Sequence, residues 1–299
     1  MGGFAGGDEG GYWDEESIVV VPSNKKKCLP KEEIYIKDAM YSIRAYAKVN
    51  IFFKITGLKK ERYTIQARYM RVQDVYDTIS FVPCTCGNFT IEGCEDIPLE
   101  SNSIYKAYKA LNEYLIDTEL QDFFYEHKVV VTKRIPLHVG LGGSSSDGAA
   151  FMRLAKEVCN LMLSTEELVH IGTKINHNFA FFIYNYVSAN ISGYGEIVAY
   201  FEEELLHFEL ENFHVHHDKN TLYKVFDTYL LSKISLPSFN KWKNIDSKNI
   251  LNKNTDSSLL NDLYKALLVS SSDLKEELTK GWYVSNGVVF KPRIEVENA

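Results

Sequence analysis

This chain of 299 residues has no long hydrophobic run, no excess of basic charge and no even set of cysteines. The longest apolar-rich stretch, residues 179–187, is too short and too polar to span a bilayer, which takes about 20 apolar residues. With 33 basic against 40 acidic residues and a net charge of −7, no dominant nucleic-acid surface is expected. Five cysteines (Cys28, Cys84, Cys86, Cys94, Cys159) leave one unpaired in any disulfide scheme, so reduced, structural thiols are expected. Cys84, Cys86 and Cys94 offer three thiolates, but their spacing fits no common zinc pattern and no fourth ligand lies nearby. No basic segment followed by an apolar core opens the sequence, which gives a cytoplasmic expectation. Internal repeats and heptads are missing too.

What is present reads as a soluble, mixed fold. Hydrophobic residues make up 45%, and 19 Tyr and 17 Phe favour a packed interior. Residues 1–16 combine six glycines with five acidic residues, too little apolar surface to offset chain entropy. Residues 1–40 are therefore expected to be a poorly structured extension, with at most a short strand at Ile18–Val21. Strands are expected at Ser42–Lys48, Asn50–Thr56, Tyr63–Tyr69, Asp77–Pro83 and Lys128–Thr132. A helix is expected within Ser101–Asp117, and another carries the stripe Phe151, Leu154, Ala155, Val158, Cys159, Met162. Ser164–Glu167 has the form of a capping box opening the next helix. Phe179–Ile183, Val187–Ile191 and Glu196–Phe201 read as strands. Helices follow at Leu222–Leu231, Leu259–Val269 and Asp273–Lys280, then a final strand, Trp282–Lys291, with 232–257 as a polar connection. The fold class is α+β in two domains, 41–198 and 199–299.

The most informative stretch is Pro136-Leu-His-Val-Gly140-Leu141-Gly142-Gly143-Ser144-Ser145-Ser146, set before the striped helix. Glycines let backbone N–H groups approach a ligand closely, and a helix start adds partial positive charge. Together they make a phosphate site. No Gly-Lys-Ser/Thr follows, so it is not a Walker loop, and the third-glycine spacing of a dinucleotide fingerprint is absent.

This turn resembles the second motif of the GHMP kinases. Collinear matches are Ala47-Lys48-Val49-Asn50 in the first strand, Tyr63, Asp74–Ile79, Ser188-Ala-Asn190-x-Ser-Gly193-x-Gly195-Glu196-Ile197 and Leu260-Asn261-Asp262-Leu263. They cover about residues 42–291 and are similar to the branch that phosphorylates 4-diphosphocytidyl-2-C-methyl-D-erythritol. The resemblance implies the two-domain GHMP kinase fold, with a ribosomal protein S5 domain 2-like N-terminal domain and a ferredoxin-like C-terminal domain. It implies ATP with Mg2+, a cytidine diphosphate alcohol as substrate, and a monomer or weak homodimer that binds neither nucleic acid nor membrane. Pro136, Gly140, Leu141, Gly142, Gly143, Ser144, Ser145 and Ser146 would hold the ATP phosphates. Ser144–Ser146 are also expected to cap the helix. Lys48 would stabilise the acceptor alkoxide, Asn50 would hold the substrate, and Tyr63 would stack on the pyrimidine. No metal ligands are assigned.

Three positions depart from the family pattern. Its Gly-(Ala/Ser)-Asp segment, whose aspartate takes the hydroxyl proton, is Asn176-His177-Asn178 here, and a neutral amide is no base. His177 stands next to it, but in an extended strand adjacent side chains face opposite ways. The family's Tyr-His pair is Tyr63-Thr64, and its closing Ser-Gly-Ser-Gly-Ser loop is reduced to Ser285-Asn286-Gly287. Two further readings therefore stay open: a non-catalytic nucleotide-binding homologue, and a kinase for another small alcohol.

Overall fold

A computed structural model describes residues 33–37, 40–116, 118–137, 139–212, 219–229, 239–253, 256–270, 281–285 and 287–293. Cys28, the short strand at 18–21 and the helix at 273–280 lie outside them. In chain order come β1 (Tyr35–Lys37), β2 (Met40–Lys59), β3 (Arg62–Pro83), β4 (Ile91–Glu92), α1 (Ser103–Tyr114), α2 (Glu119–Tyr125) and β5 (His127–Thr132). Then follow α3 (Gly143–Val158), α4 (Thr165–Ile175), α5 (Phe179–Tyr184), β6 (Ser188–Gly193) and β7 (Ile197–Tyr200). The remainder is β8 (Phe208–Asn212), α6 (Lys219–Tyr229), α7 (Ser247–Lys253), α8 (Ser257–Leu260), α9 (Tyr264–Ser270), β9 (Tyr283–Ser285) and β10 (Val288–Pro292).

The four strands expected between 42 and 83 are two. β2 runs 20 residues and β3 runs 22, paired antiparallel along their length. The expected breaks fall at irregularities of register: Tyr46 and Ala47 face Tyr76 and Val72, while Ile51 is left without a partner between Asn50 and Phe52. A bulge adds a residue without ending the strand, and it re-aims side chains. Ile51 and its neighbour Phe52 thereby enter the same apolar cluster, whereas Phe53 and Ile55 belong to the other. β1 is an exposed edge strand on β2, so the extension is not irregular throughout: Tyr35–Lys37 finds backbone partners at Met40–Ser42.

β1, β2, β3, β5 and β4 form one path of a seven-stranded sheet, with β6 on β3 and β7 on β6. β8, β10 and β9 form a second, three-stranded sheet. Helices α1, α3, α4 and α5 pack on one another around an aromatic-rich cluster that includes Phe81, Phe124 and Phe151. α4 opens with the capping box expected from its sequence, Ser164 and Glu167 each bonding the other's backbone N–H.

The run Phe179–Ile183, expected as a strand, is the helix α5. All five residues are buried. A short, uniformly apolar segment has no period to separate the two structures, and full burial satisfies either. The 232–257 connection contains α7, and the expected Leu259–Val269 helix is two, α8 and α9, broken at Asn261, which bridges to Phe53 of β2. The final strand is a hairpin of β9 and β10.

The second sheet and its helices join β2 at several points. Asp262 accepts from the Ile55 N–H (2.7 Å) and pairs with Lys54. Arg68 of β3, fully buried, donates to Glu203 (3.0 Å), Asn190 (2.9 Å) and the Lys243 carbonyl (3.1 Å) over the Phe201 ring. These bonds tie the segment before α7 to the large sheet. Cys84 and Cys86 are joined in a disulfide, which corrects the reduced expectation for that pair and removes two thiolates from any metal set. Cys94 and Cys159 are free thiols.

Candidate active site

The glycine turn leaves β5 and enters α3. Gly140 and Gly142 have φ of 80° and 81°, the left-handed region that glycine adopts without a Cβ clash. A Cβ on Gly142 would lie 2.6 Å from Phe182 Cζ, so the turn also needs glycine for its close approach to α5. Gly142 is the N-cap of α3, and no side chain caps it. This corrects the expected cap at Ser144–Ser146, which lie inside the first turn. The start of α3 is left with unbonded backbone N–H groups and the positive end of its dipole. Ser146 Oγ donates to the Tyr46 carbonyl (2.7 Å) and Ser144 Oγ bonds Ser103 Oγ, while Ser145 is buried. Two of the three hydroxyls thus stitch the turn to its surroundings.

A pocket opens on this turn. Pro136, Leu137 and Gly140–Ser144 line one side, and Asp96, Ile97, Pro98 and Ser101 the other. The second wall was missed in the sequence, where only the turn residue Pro98 marks a segment some 40 positions away. His138 lies outside the described residues.

Lys48 stands at the seam between this turn and the rest of the site. It is 2% exposed, and its Nζ donates to the Gly140 carbonyl and to Asn50 Oδ1, both at 2.8 Å. Its backbone N–H donates to the Leu141 carbonyl (2.9 Å), so β2 and the turn are bonded twice at this residue. Asn50 is equally buried, and its Nδ2 has no hydrogen-bond partner. An unsatisfied buried donor costs about 1–3 kcal/mol, which a ligand acceptor would recover. The Asn50 N–H donates to Ser285 Oγ (2.9 Å) and the Gly287 N–H to the Val139 carbonyl (3.1 Å). The shortened final turn therefore still reaches both β2 and the glycine turn. Asn286 lies outside the described residues.

Asn178 sits at the start of α5, with Gly195 of the β6–β7 turn against it and against His177. Lys48 and Asn178 converge on one residue that sequence reading missed, Tyr69. Lys48 Nζ lies 4.8 Å from the Tyr69 ring centroid, and the Tyr69 hydroxyl donates to Asn178 Oδ1 (3.4 Å). His177 is not in an extended strand as expected. Its Nε2 meets Arg62 Nη2 at 2.6 Å, and since guanidinium only donates, that nitrogen is the acceptor. Its lone pair is engaged there rather than offered to an acceptor alcohol.

Tyr63 and Thr64 lie six residues from Tyr69 on β3, about 20 Å along a strand. Tyr63 stacks on Tyr223 of α6 (5.2 Å, 15°) and meets Phe226 edge-on, with its buried hydroxyl unpartnered. Thr64 Oγ1 accepts from Thr56 Oγ1 (2.9 Å). These two residues therefore form a second, aromatic end of the site rather than part of the Lys48 cluster.

Beneath the turn, Lys133 bridges Asp77 and Asp147. Asp77 also accepts the N–H groups of Arg134 and Ile135, which fixes the start of the glycine turn. One ammonium cannot balance two buried carboxylates, and Asp147 Oδ1 has no partner. Burial foremost, with the Asp77 charge adding, raises the Asp147 pKa to about 8 against the pull of Lys133. The folded carboxyl then keeps a proton that the unfolded one has released. Stability is expected to fall as pH rises from the ordinary carboxylate range to about 8, and to level off above it. Denaturant midpoints measured between about pH 5 and 9 should show that slope, and Asp147→Asn should flatten it. An unchanged slope in the variant would assign it to other groups.

Among the described residues no cluster of three His, Cys, Asp or Glu could hold a metal, and no helix is long and apolar enough to cross a membrane.

Comparison with known proteins agrees with this geometry. Residues 102–185 match the GHMP kinases N terminal domain. A 4-diphosphocytidyl-2-C-methyl-D-erythritol kinase of Sulfurovum sp. (strain NBC37-1) is 48% identical over 82% of this chain and 96% of its own length. The kinase of that name from Sulfurimonas denitrificans is 38% identical over 85% and 97%. A crystal structure of 4-(cytidine 5'-diphospho)-2C-methyl-D-erythritol kinase superposes with a TM-score of 0.65 at 16% identity, covering 85% of this chain and 90% of the other. The mevalonate kinase of Methanococcus jannaschii gives 0.58 at 14%, covering 87% and 92%. The chain belongs to the 4-diphosphocytidyl-2-C-methyl-D-erythritol kinase family, with the two-domain fold of the GHMP kinases.

Proposed function

We propose that this chain transfers the γ-phosphoryl group of ATP to a hydroxyl of 4-diphosphocytidyl-2-C-methyl-D-erythritol, a step toward isoprenoid precursors. The observation that carries the reading is the position of Lys48, a buried cation bonded both to the carbonyl of Gly140 in the glycine turn and to Asn50. Such a cation lies where a nucleotide's phosphates and an acceptor hydroxyl meet.

The backbone N–H groups of Gly142–Ser144 and the dipole of α3 would hold the phosphates, with Asp96–Ser101 closing the nucleotide pocket. The acceptor oxygen attacks phosphorus as the bond to the ADP oxygen breaks. Lys48 stabilises the charge that develops on the attacking oxygen. Phosphoryl transfer is largely dissociative, so positioning and charge stabilisation carry most of the rate, and little is asked of a base. That is what makes Asn178 tolerable in this site. The pair Tyr63–Tyr223 offers flat faces for the pyrimidine at the far end of an elongated substrate, while Asn50 Nδ2 supplies a donor near the acceptor.

Magnesium normally keeps several waters and binds through one or two carboxylates plus the phosphates, so an ATP-borne ion needs no three-carboxylate cage. Asp96 is the acidic residue lining the pocket and the one that fits such an ion. When bound, magnesium neutralises phosphate charge. A monomer or weak homodimer in the cytoplasm is the setting this reading implies.

The altered Asn178 favours one competing reading, a homologue that binds nucleotide without turnover. Folded protein given ATP and magnesium is expected to release ADP only when the diphosphocytidyl alcohol is added. ADP release with another small alcohol, and none with this one, would move the chain to a different acceptor.

A further inference from the structure

Tyr69 has no counterpart among the sequence motifs, yet it touches both residues on which the transfer depends. It is 4% exposed, wedged edge-on against Phe181 of α5 (5.5 Å, 88°). Its ring lies under the Lys48 ammonium and its hydroxyl reaches Asn178 Oδ1. We propose that Tyr69 is a positioning residue for phosphoryl transfer, holding Lys48 by its ring face and residue 178 by its hydroxyl so that both keep a fixed place relative to the glycine turn.

The chemistry of the contact is one-way. Burial pushes the Tyr69 phenol up, away from ionisation, so the hydroxyl remains a donor across the working pH range. A donor on Oδ1 fixes the rotation of the Asn178 amide, because the oxygen and nitrogen of that group lie on opposite sides of Cγ. The cation over the ring face is attracted by the ring's quadrupole in a water-poor setting, where the attraction is strongest. Tyr69 thereby links β3 to β2 through Lys48 and to α5 through Asn178, and α5 in turn packs Phe182 against Gly142. The role rests on the kinase reading above, but the contact itself does not.

Two experiments test it, one for the role and one for the contact. Kinetics are compared for the wild type, Tyr69→Phe, Asn178→Ala and the double variant. Tyr69→Phe keeps the ring and loses the hydroxyl. It is expected to lower kcat about three- to tenfold, the range for one lost hydrogen bond, with KM for ATP and Kd for ADP unchanged. Added to Asn178→Ala it should have no further effect, since its partner is already gone. Equal losses in both backgrounds, or a change in ADP affinity, would make the hydroxyl a packing element and overturn the role.

The contact is read by carboxyl carbon NMR in Asn178→Asp with and without Tyr69→Phe. A hydroxyl donating to a carboxylate favours its charged form, so the introduced carboxyl should titrate at lower pH when Tyr69 is intact. Coincident titrations would overturn the contact whether or not the enzyme turns over. A folded wild type that binds ADP but never turns over would instead sink the kinase reading. The titration would still decide what Tyr69 holds.

Discussion

Lys48→Met is expected to lower kcat about 10²- to 10³-fold, the loss seen when one preorganised donor to a developing oxyanion is removed. Methionine nearly matches the lysine stem in length and leaves the chain able to pack between β2 and α3. Three contacts go with the ammonium: the bonds to Gly140 and Asn50 and the position over Tyr69. Because the Gly140 carbonyl is part of the glycine turn, a few-fold rise in KM for ATP should accompany the fall in kcat. The backbone bond from Lys48 N–H to Leu141 does not depend on the side chain, so the turn should remain docked. Steady-state kinetics with a thermal melt check both parts. A variant with near-normal kcat would remove Lys48 from the chemistry and return it to a structural cation.

Asn178→Asp is expected to raise kcat by about 10²-fold, the lower end of the range for general base catalysis. The lower end is chosen because a dissociative transition state leaves the hydroxyl proton largely in place until late. The site already suits a carboxylate at 178. Tyr69 donates to that side chain, and Lys48 shares the same tyrosine. Both favour the ionised form, so the variant should be a working base at neutral pH. It should also acquire an acidic limb in its pH–rate profile that the wild type lacks. Unchanged kcat would mean that proton removal contributes nothing in this enzyme, or that the altered Thr64 and final turn limit the rate.

Much of the phosphate half of the site is legible in the sequence because it is local. Gly140 and Gly142 need positive φ, and the helix after them shows its period over 16 residues. The cap is misplaced because Ser144–Ser146 have the right chemistry for it, yet glycine in the left-handed conformation closes the turn. Lys48 and Asn50 come from resemblance. Nothing in a strand's own pattern tells a buried, bonded lysine from a solvated one. The 179–183 run reads as a strand for want of any period, and that also misdirects the reasoning about His177. Tyr69, Tyr223 and the Asp96–Ser101 wall depend on which elements the topology sets side by side, and no window of sequence holds that information. β2 and β3 read as four pieces because Lys48, Asn50 and Asp74 interrupt their apolar pattern, although pairing across register shifts carries both strands through.

The most direct measurement is coupled ADP release by folded wild-type protein, shown first by calorimetry to bind ADP. It is run with ATP and magnesium, with and without 4-diphosphocytidyl-2-C-methyl-D-erythritol. The expected result is ADP release that depends on the alcohol, with one phosphorylated product formed per ADP. Nucleotide binding with no alcohol-dependent release would contradict it and leave a phosphate-binding fold that has given up the transfer.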